Sequence, residues 1–430
     1  MTQPAPHAPI DCADLELSAP PEPGPRAPGH LLVRLHGHPL GVLQVDAHAR
    51  ASDGGRSAAL EAFAGPVAEH LTADGLVSGD PAPVPHCGWD APEGSGLVTV
   101  VVCTLGEDPR LVRTVESVLG QTYPELEVVV VDNRPTTGRV PELLDGIADP
   151  RVRIVPESAR GLSAARNAGV AHARGELIAF TDDDAHADPD WVRRLSAGFA
   201  CGDQVVAVTG LVVPDELRTP AQHLFEEFGG FDKGFSRTVW SMRPASLGVR
   251  AVTGSHGGLF PYSAGVYGSG NNMAFRASWL RASGLFDEAL GAGSLTKGGE
   301  DLDAFLAVML DGKVLVYEPA AVVRHSAREG MAELASQLYG YGSGNSAAMI
   351  KHAMAGPRRT LAVLARVPTG LRRLLDPRSE KNSQRSAGYP PDLARRELRG
   401  FAAGPVLYLR SRREARRRRA AHPLAVPPAL

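Results

Sequence analysis

A series of short apolar runs, each continuous rather than alternating with polar residues, constrains this chain more than any other feature. Leu97-Val98-Thr99-Val100-Val101-Val102-Cys103 comes first, and residues 126–131, 152–155 and 177–181 repeat the pattern. A strand with one wet face alternates polar and apolar residues. A strand that is apolar on both faces needs cover on both, which a parallel sheet clad in helices supplies. The intervening segments have the spacing of such helices. Over 109–120, Asp108 is placed to cap, Pro109 falls at the first helical position, and Leu111, Val112, Val115, Val118 and Leu119 share one face. A second helix is predicted over 163–173, and the whole reads as an α/β fold with a mostly parallel, doubly wound sheet beginning near Leu97. Ligands of such sheets sit beyond the carboxyl ends of the strands, where this chain places Thr104, Asp132 and Asp182-Asp183-Asp184. Cys103-Thr104-Leu105-Gly106-Glu107-Asp108 follows the first run where a dinucleotide fold would carry GxGxxG, so nicotinamide binding is not expected.

The flanks read differently. Residues 1–29 are rich in proline and alanine without hydrophobic period, and are expected to form a disordered tail. Two apolar runs around His36-Gly37-His38-Pro39 signal a hairpin, and Leu60, Phe63, Val67 and Leu71 signal one helix over 57–71. Together they predict a small α+β appendage over 30–77, joined by a Gly/Pro-rich linker, 78–96, to a main domain over 97–350. The formal net charge of -3 hides an asymmetry. Residues 351–430 carry 19 Lys+Arg against 5 Asp+Glu, a local +14 that leaves -17 for the rest. This basic helical tail, expected to be partly disordered, mixes Leu361, Leu364, Val367, Leu371 and Leu374-Leu375 with arginines. A helix lying on an anionic membrane surface and a merely solvated arginine helix both fit that mixture. No nucleic-acid reading module accompanies the charge. Cys12, Cys87, Cys103 and Cys201 are scattered without CxxC spacing, so neither a zinc site nor a disulfide framework is predicted. No apolar run reaches the roughly 20 residues that span a bilayer, and no secretion signal opens the chain, so the expectation is cytoplasmic, with a peripheral contact on the inner membrane face.

Two acidic constellations carry the chemistry. Three carboxylates at the end of a buried strand, Asp182, Asp183 and Asp184, repel one another unless a cation sits among them. Their alternative role, capping the helix over 190–198, is better filled by Asp188-Pro189. Gly298-Gly299-Glu300-Asp301-Leu302-Asp303 heads a helix whose buried face is Phe305, Leu306, Met309 and Leu310. Acids in a first turn complement the helix dipole by about 0.3–1 kcal/mol. Here the preceding glycines allow close backbone approach, which suits a carboxylate aimed at a reacting group. Trp191, Trp279 and Phe286 are assigned to core packing.

In their order, Val98 to Thr104, Ser117-Val118-Leu119-Gly120-Gln121-Thr122-Tyr123-Pro124, Val128 to Asp132, Gly161-Leu162-Ser163-Ala164-Ala165-Arg166-Asn167-Ala168-Gly169 and Phe180 to Asp184 resemble the bacterial family 2 glycosyltransferases of the GT-A fold, over roughly residues 97–350. The resemblance implies an inverting, metal-assisted transferase of the hexosyltransferase type, moving a sugar from a nucleotide donor, most often a UDP-sugar, to a hydroxyl acceptor. That acceptor would be a glycan, a lipid-linked intermediate or a secondary metabolite, as in polysaccharide biosynthesis. It implies Mn²⁺ or Mg²⁺ on Asp184, Asp182 and His325, with Asp183 on the ribose. Asp132 and Thr104 would meet the base, Arg166 the nucleotide, Asp301 would be the base catalyst and Glu300 would position the acceptor. Asn271-Asn272-Met273-Ala274-Phe275 matches the family's stretch beneath the acceptor site. The basic contact usual after the first strand is missing here. A sugar-phosphate nucleotidyltransferase would carry a Gly-rich basic loop there, which is absent, and a catalytically silent carbohydrate-binding protein would not need both acidic constellations.

Overall fold

The computed structural model describes residues 9–20, 29–45, 53–76, 81–84, 86–231, 233–245, 247–254, 257–376, 378–383 and 389–424. Its centre is one mixed sheet. Strands β4 (Val98–Thr104), β5 (Leu126–Asp132), β6 (Val152–Pro156) and β7 (Leu177–Asp182) are mutually parallel in the spatial order β7-β4-β5-β6. Beyond β7 lie β12 (Met273–Arg276), β9 (Val205–Pro214), β13 (Val314–His325), β10 (Thr238–Ser241) and β11 (Val252–Thr253), with β8 (Ala185–Ala187) paired to the far end of β13. The predicted doubly wound α/β fold is present, but the sheet is mixed: β10 and β8 pair antiparallel with β13, and β12 is antiparallel to both its neighbours. Asn272 fastens that insertion. Its amide donates to the carbonyls of Leu211 and Ala321, both at 2.8 Å, and accepts from the Trp191 indole at 2.8 Å.

Continuous apolar runs produce two-sided burial as expected: every residue of β5 and β9 is buried. One face packs Val100, Val102, Val115, Val118 and Trp191; the other packs Val101, Phe180, Phe275, Phe286 and Phe305. Where the predicted helix spanned 109–120, α3 spans Leu111–Leu119, with Arg110 at the cap position and Asp108 accepting the Arg110 N–H instead. In the same way the helix predicted over 190–198 is α5 (Trp191–Ala200); Asp190, not Asp188, stands before it. Helix α4 covers Leu162–His172.

Both flanks depart further from expectation. Within the proposed disordered tail, residues 11–16 form β1 (Asp11–Glu16), parallel to β2 (Gly29–Leu35), and Leu17 is fully buried; residues 1–8 and 21–28 lie outside the described residues. Strand β2 turns through His36 and Gly37, both at positive φ, into β3 (His38–Val45). Two helices, α1 (Arg56–Ala62) and α2 (Ala64–Ala73), replace the single predicted one. They break at Phe63, whose ring lies where a side chain on Gly41 would stand. This unit docks on the main sheet: Leu32 packs with Leu211, Val213, Tyr317 and Val322, and Arg34 pairs with Asp188 at 2.8 Å.

The predicted boundary at residue 350 does not divide the structure. After α6 (Glu300–Leu310), α7 (Met331–Ala353), α8 (Pro357–Leu364) and α9 (Val367–Leu375), the long α10 (Pro391–Ala421) lies along α7, glycine against backbone. Arg419 then bridges Glu288 and Glu157, so this part of the basic end is folded into the body.

Candidate active site

Strand register gathers the site. In the β5-β4-β7 ladders Thr104 lies opposite Asp132 and Cys103 opposite Asp182, so three polar strand ends share one edge. Antiparallel β8 pairs Ala185 with His325, which brings the end of β13 to the same edge. Asp182, Asp184 and His325 consequently offer three ligand atoms within 4.8 Å of one another. His325 Nε2 stands 3.3 Å from Asp184 Oδ1, outside hydrogen-bond geometry, and Arg328 Nη1 lies 3.8 Å from Asp184 Oδ2.

Charges within this cluster are divided unevenly. Burial opposes ionisation of Asp184, but His325 and Arg328 outweigh it and hold the carboxyl at about 2. Burial, together with the charges of Asp184 and Asp182, pushes Asp183 up to about 7 despite the Thr104 hydroxyl. Asp183 is held by Thr104, whose Oγ1 donates to its Oδ2 and also accepts the Gly106 N–H. Thr104 thus faces Asp183 first. Asp132 is buried, with Oδ1 accepting the Arg134 N–H at 2.9 Å.

Arg166 lies between the two acidic groups. Its guanidinium, expected at the nucleotide, belongs to a residue 2% exposed and is committed to partners inside the protein. Nη1 donates to Glu300 Oε1 at 2.8 Å, Nη2 donates to the Gly270 carbonyl at 3.0 Å and lies 3.6 Å from Asp182 Oδ1, and the group sits over the Phe180 and Phe286 rings. It links the Asp182 strand end to the second acidic pair. That pair starts α6, where Gly299 at φ 93° abuts the Gly344 backbone so closely that a side chain on it would collide. Glu300 is buried, and burial with the neighbouring Asp301 charge pushes it up to about 7 against Arg166. Asp301 is half-buried, its two oxygens accepting the N–H groups of Gly270 at 3.0 Å and Leu302 at 2.8 Å. Asn272 lies beneath, in the packing just described.

Two basic residues were not identified from sequence. Arg110 and Arg328 line a cavity of about 410 Å³ that runs from Ser326 to Glu333 beside Asp184. Arg110 lies at the start of the helix predicted over 109–120 but on no motif, and the trace of Arg328 in the sequence is its three-residue spacing from His325.

The family model for glycosyl transferase family 2 matches residues 99–266. A glucosyl-dolichyl phosphate glucuronosyltransferase of Haloferax volcanii is 36% identical over 154 residues, 34% of this chain and 49% of the relative. The succinoglycan biosynthesis protein ExoO of Rhizobium meliloti is 39% identical over 117 residues, 27% of this chain and 33% of the relative. The chain therefore spans half or less of the length of these curated relatives. A mannosyltransferase of Pyrobaculum calidifontis, solved with GDP-Man and Mn²⁺, aligns at 18% identity and a TM-score of 0.47 over 83% of this chain and 96% of its own. The matched stretch, residues 99–266, holds the Asp182-Asp183-Asp184 strand end and is similar to the family 2 glycosyltransferases.

Proposed function

We propose that the chain is an inverting glycosyltransferase that moves a sugar from a nucleoside-diphosphate donor, UDP-linked by preference, to a hydroxyl acceptor. The observation that carries this reading is the convergence of Asp182, Asp184 and His325 at the sheet edge, with Glu300 and Asp301 joined to them through Arg166.

A divalent cation fits the residues present. Asp184 Oδ1 is buried without a hydrogen-bond partner, and two carboxylates with one imidazole suit Mn²⁺, or Mg²⁺ less well. Asp182, Asp184 and His325 would hold it, and when bound it would offset the charge that grows on the diphosphate as the sugar leaves. The remaining work falls to the chain itself. Arg328, and Arg110 through its pairing with Asp108, place guanidinium groups in the cavity beside Asp184 that Glu329 and Glu333 also line, where a diphosphate is anionic before and after transfer. Asp183, held by Thr104, is assigned to the ribose, and Asp132 to a base N–H. Asp301 takes the proton of the acceptor hydroxyl as the hydroxyl oxygen attacks the anomeric carbon on the face opposite the leaving diphosphate, giving glycoside, nucleoside diphosphate and one proton. Glu300 and Arg166 set the position of that helix start.

A lipid-linked acceptor at a membrane surface is part of this reading. No helix among the described residues is long and apolar enough to cross a membrane, yet α8 and α9 expose Leu361 at 67%, Leu364 at 59% and Leu375 at 60%, beside exposed Arg358 and Arg372. Such a surface suits the anionic interface of a bilayer.

Incubating the protein with Mn²⁺ and a panel of nucleotide sugars, with an acceptor extract, tests the assignment through nucleoside diphosphate release. Asp184→Asn and Asp301→Asn are expected to lower turnover by at least about 10²-fold, the usual scale for a positioned acid or base. Unchanged turnover in both variants would overturn the site.

A further inference from the structure

A second set of metal-ligating side chains lies in the N-terminal unit, remote in sequence from the glycosyltransferase residues. His36 at the β2–β3 turn, His70 and Asp74 at the end of α2, and Cys87 in the segment leading to β4 offer four ligand atoms within 4.8 Å of one another. Asp74 Oδ2 lies 2.8 Å from His36 Nδ1 and 3.6 Å from His70 Nε2, and His70 Nε2 lies 3.0 Å from Cys87 Sγ. Tetrahedral zinc with bonds of about 2.0–2.3 Å sets ligand-to-ligand edges of roughly 3.3–3.7 Å, close to these separations.

Three details point to a shared ion rather than to ordinary polar packing. His36 Nδ1 and Asp74 Oδ2 are both buried and neither makes a hydrogen bond, although they face each other; the Asp74 side chain has no exposed surface. Asp74 and Cys87 approach the same nitrogen of His70, so this is not a nucleophile–base–carboxylate relay, which needs the carboxylate on the opposite ring nitrogen. Each ligand is also oriented from behind. His36 Nε2 is 2.7 Å from the Ala82 carbonyl, Asp74 Oδ1 accepts the Gly88 N–H at 2.6 Å, Cys87 Sγ accepts the Trp89 N–H at 3.5 Å, and the Trp89 ring stacks on His70. Such outer contacts fix the tautomer and direction of metal ligands.

We propose that His36, His70, Asp74 and Cys87 form a structural zinc site that staples the hairpin and α2 to the segment entering the glycosyltransferase domain. Four protein ligands close the coordination sphere, and a thiolate with two imidazoles selects zinc over the harder Mn²⁺ and Mg²⁺. The absence of CxxC spacing concealed it, because each ligand comes from a different turn or from one i,i+4 pair. The staple acts on the docking of the unit, since Asp90, three residues after Cys87, pairs with both His38 and Arg194 of α5.

Metal analysis of the full-length reduced protein, purified without chelator, tests this. One zinc per chain is expected to survive dialysis, and Cys87→Ser or His36→Gln is expected to lose it while Asp184→Asn keeps it. Adding Co²⁺ to the metal-free wild-type chain is expected to produce a sulfur-to-cobalt charge-transfer band and the intense d–d bands of a tetrahedral site. The Asp182, Asp184 and His325 cluster contains no sulfur and cannot give that band. A wild-type chain with no retained zinc and no charge-transfer band would overturn the proposal even if the variants fail to fold. Equal zinc content in a folded Cys87→Ser protein would overturn it as well.

Discussion

Arg166 shows what a single side chain has to satisfy in this interior. A guanidinium removed from water persists only where its charge is met, and Glu300, Asp182 and the Gly270 carbonyl meet it. Removing it leaves Glu300 buried beside Asp301 without compensation. Arg166→Met is therefore expected to destabilise the fold by about 3–5 kcal/mol, whereas Arg166→Met/Glu300→Gln recovers a large part of that loss. Urea titration of the four proteins in a double-mutant cycle checks it. The sequence showed an arginine one turn into a helix, which is also how a solvated residue looks. Its inward path depends on Phe180 and Phe286, which come from a strand and a loop distant in the chain. Asp182, Asp184 and Asp301 were legible because carboxylates at a strand end or helix start are conspicuous where they stand. Arg110 and Arg328 were not, since a lone arginine at a helix start or in a loop carries no local signal of a site.

At the scale of elements, Glu127 ties the opposite ends of the strands together. Its carboxylate accepts from Thr99 Oγ1 at 2.6 Å, from the Arg174 N–H at 2.7 Å and from Arg153 at 2.9 Å. Burial opposes its ionisation, yet these donors prevail and hold the carboxyl below the usual range. A depressed folded-state value means that its contribution is complete above the unfolded carboxyl's range and disappears as pH falls through the folded one. Glu127→Gln is expected to cost about 1–3 kcal/mol at pH 7 and progressively less in acid, so thermal melts across pH 7 to 3 should converge with those of the wild type. The α7–α10 crossing depends on a different quantity, space. A methyl group on Gly400 would stand 2.1 Å from the Tyr339 carbonyl, and one on Gly342 would stand 2.0 Å from that of Glu397. Alanine gains about 1 kcal/mol in helix propensity, but overpacking costs about 1–3 kcal/mol or more, so the clash wins. Gly400→Ala should lower the melting temperature and speed proteolytic release of α10. Strands β4, β5 and β7 were legible from their apolar runs. Strand β1 was not, because a six-residue edge partner amid proline carries too little hydrophobicity to announce itself.

The whole molecule joins a central mixed sheet, an N-terminal unit docked on β9 and β13, and a helical end that is half embedded and half exposed. Arg418 and Arg419 of the basic end are bound to Glu288, Glu157 and the Gly293 carbonyl, whereas Leu361, Leu364, Val367, Leu371 and Leu375 of α8 and α9 face outward. If that surface meets lipid, the protein should sediment with vesicles rich in phosphatidylserine and far less with neutral ones, and salt should weaken the binding. Leu361→Asp/Leu371→Asp is expected to abolish sedimentation while leaving nucleoside diphosphate release to a soluble acceptor unchanged. By itself the sequence determined the parallel strands, the edge on which the site lies and the two acidic constellations, because period, strand-end position and local charge are properties of neighbouring residues. Only the tertiary structure decided that Arg166 turns inward, that β12 runs antiparallel, that α10 belongs to the body, and that His36, His70, Asp74 and Cys87 meet. Those outcomes depend on distances between residues far apart in the chain, which no local pattern encodes.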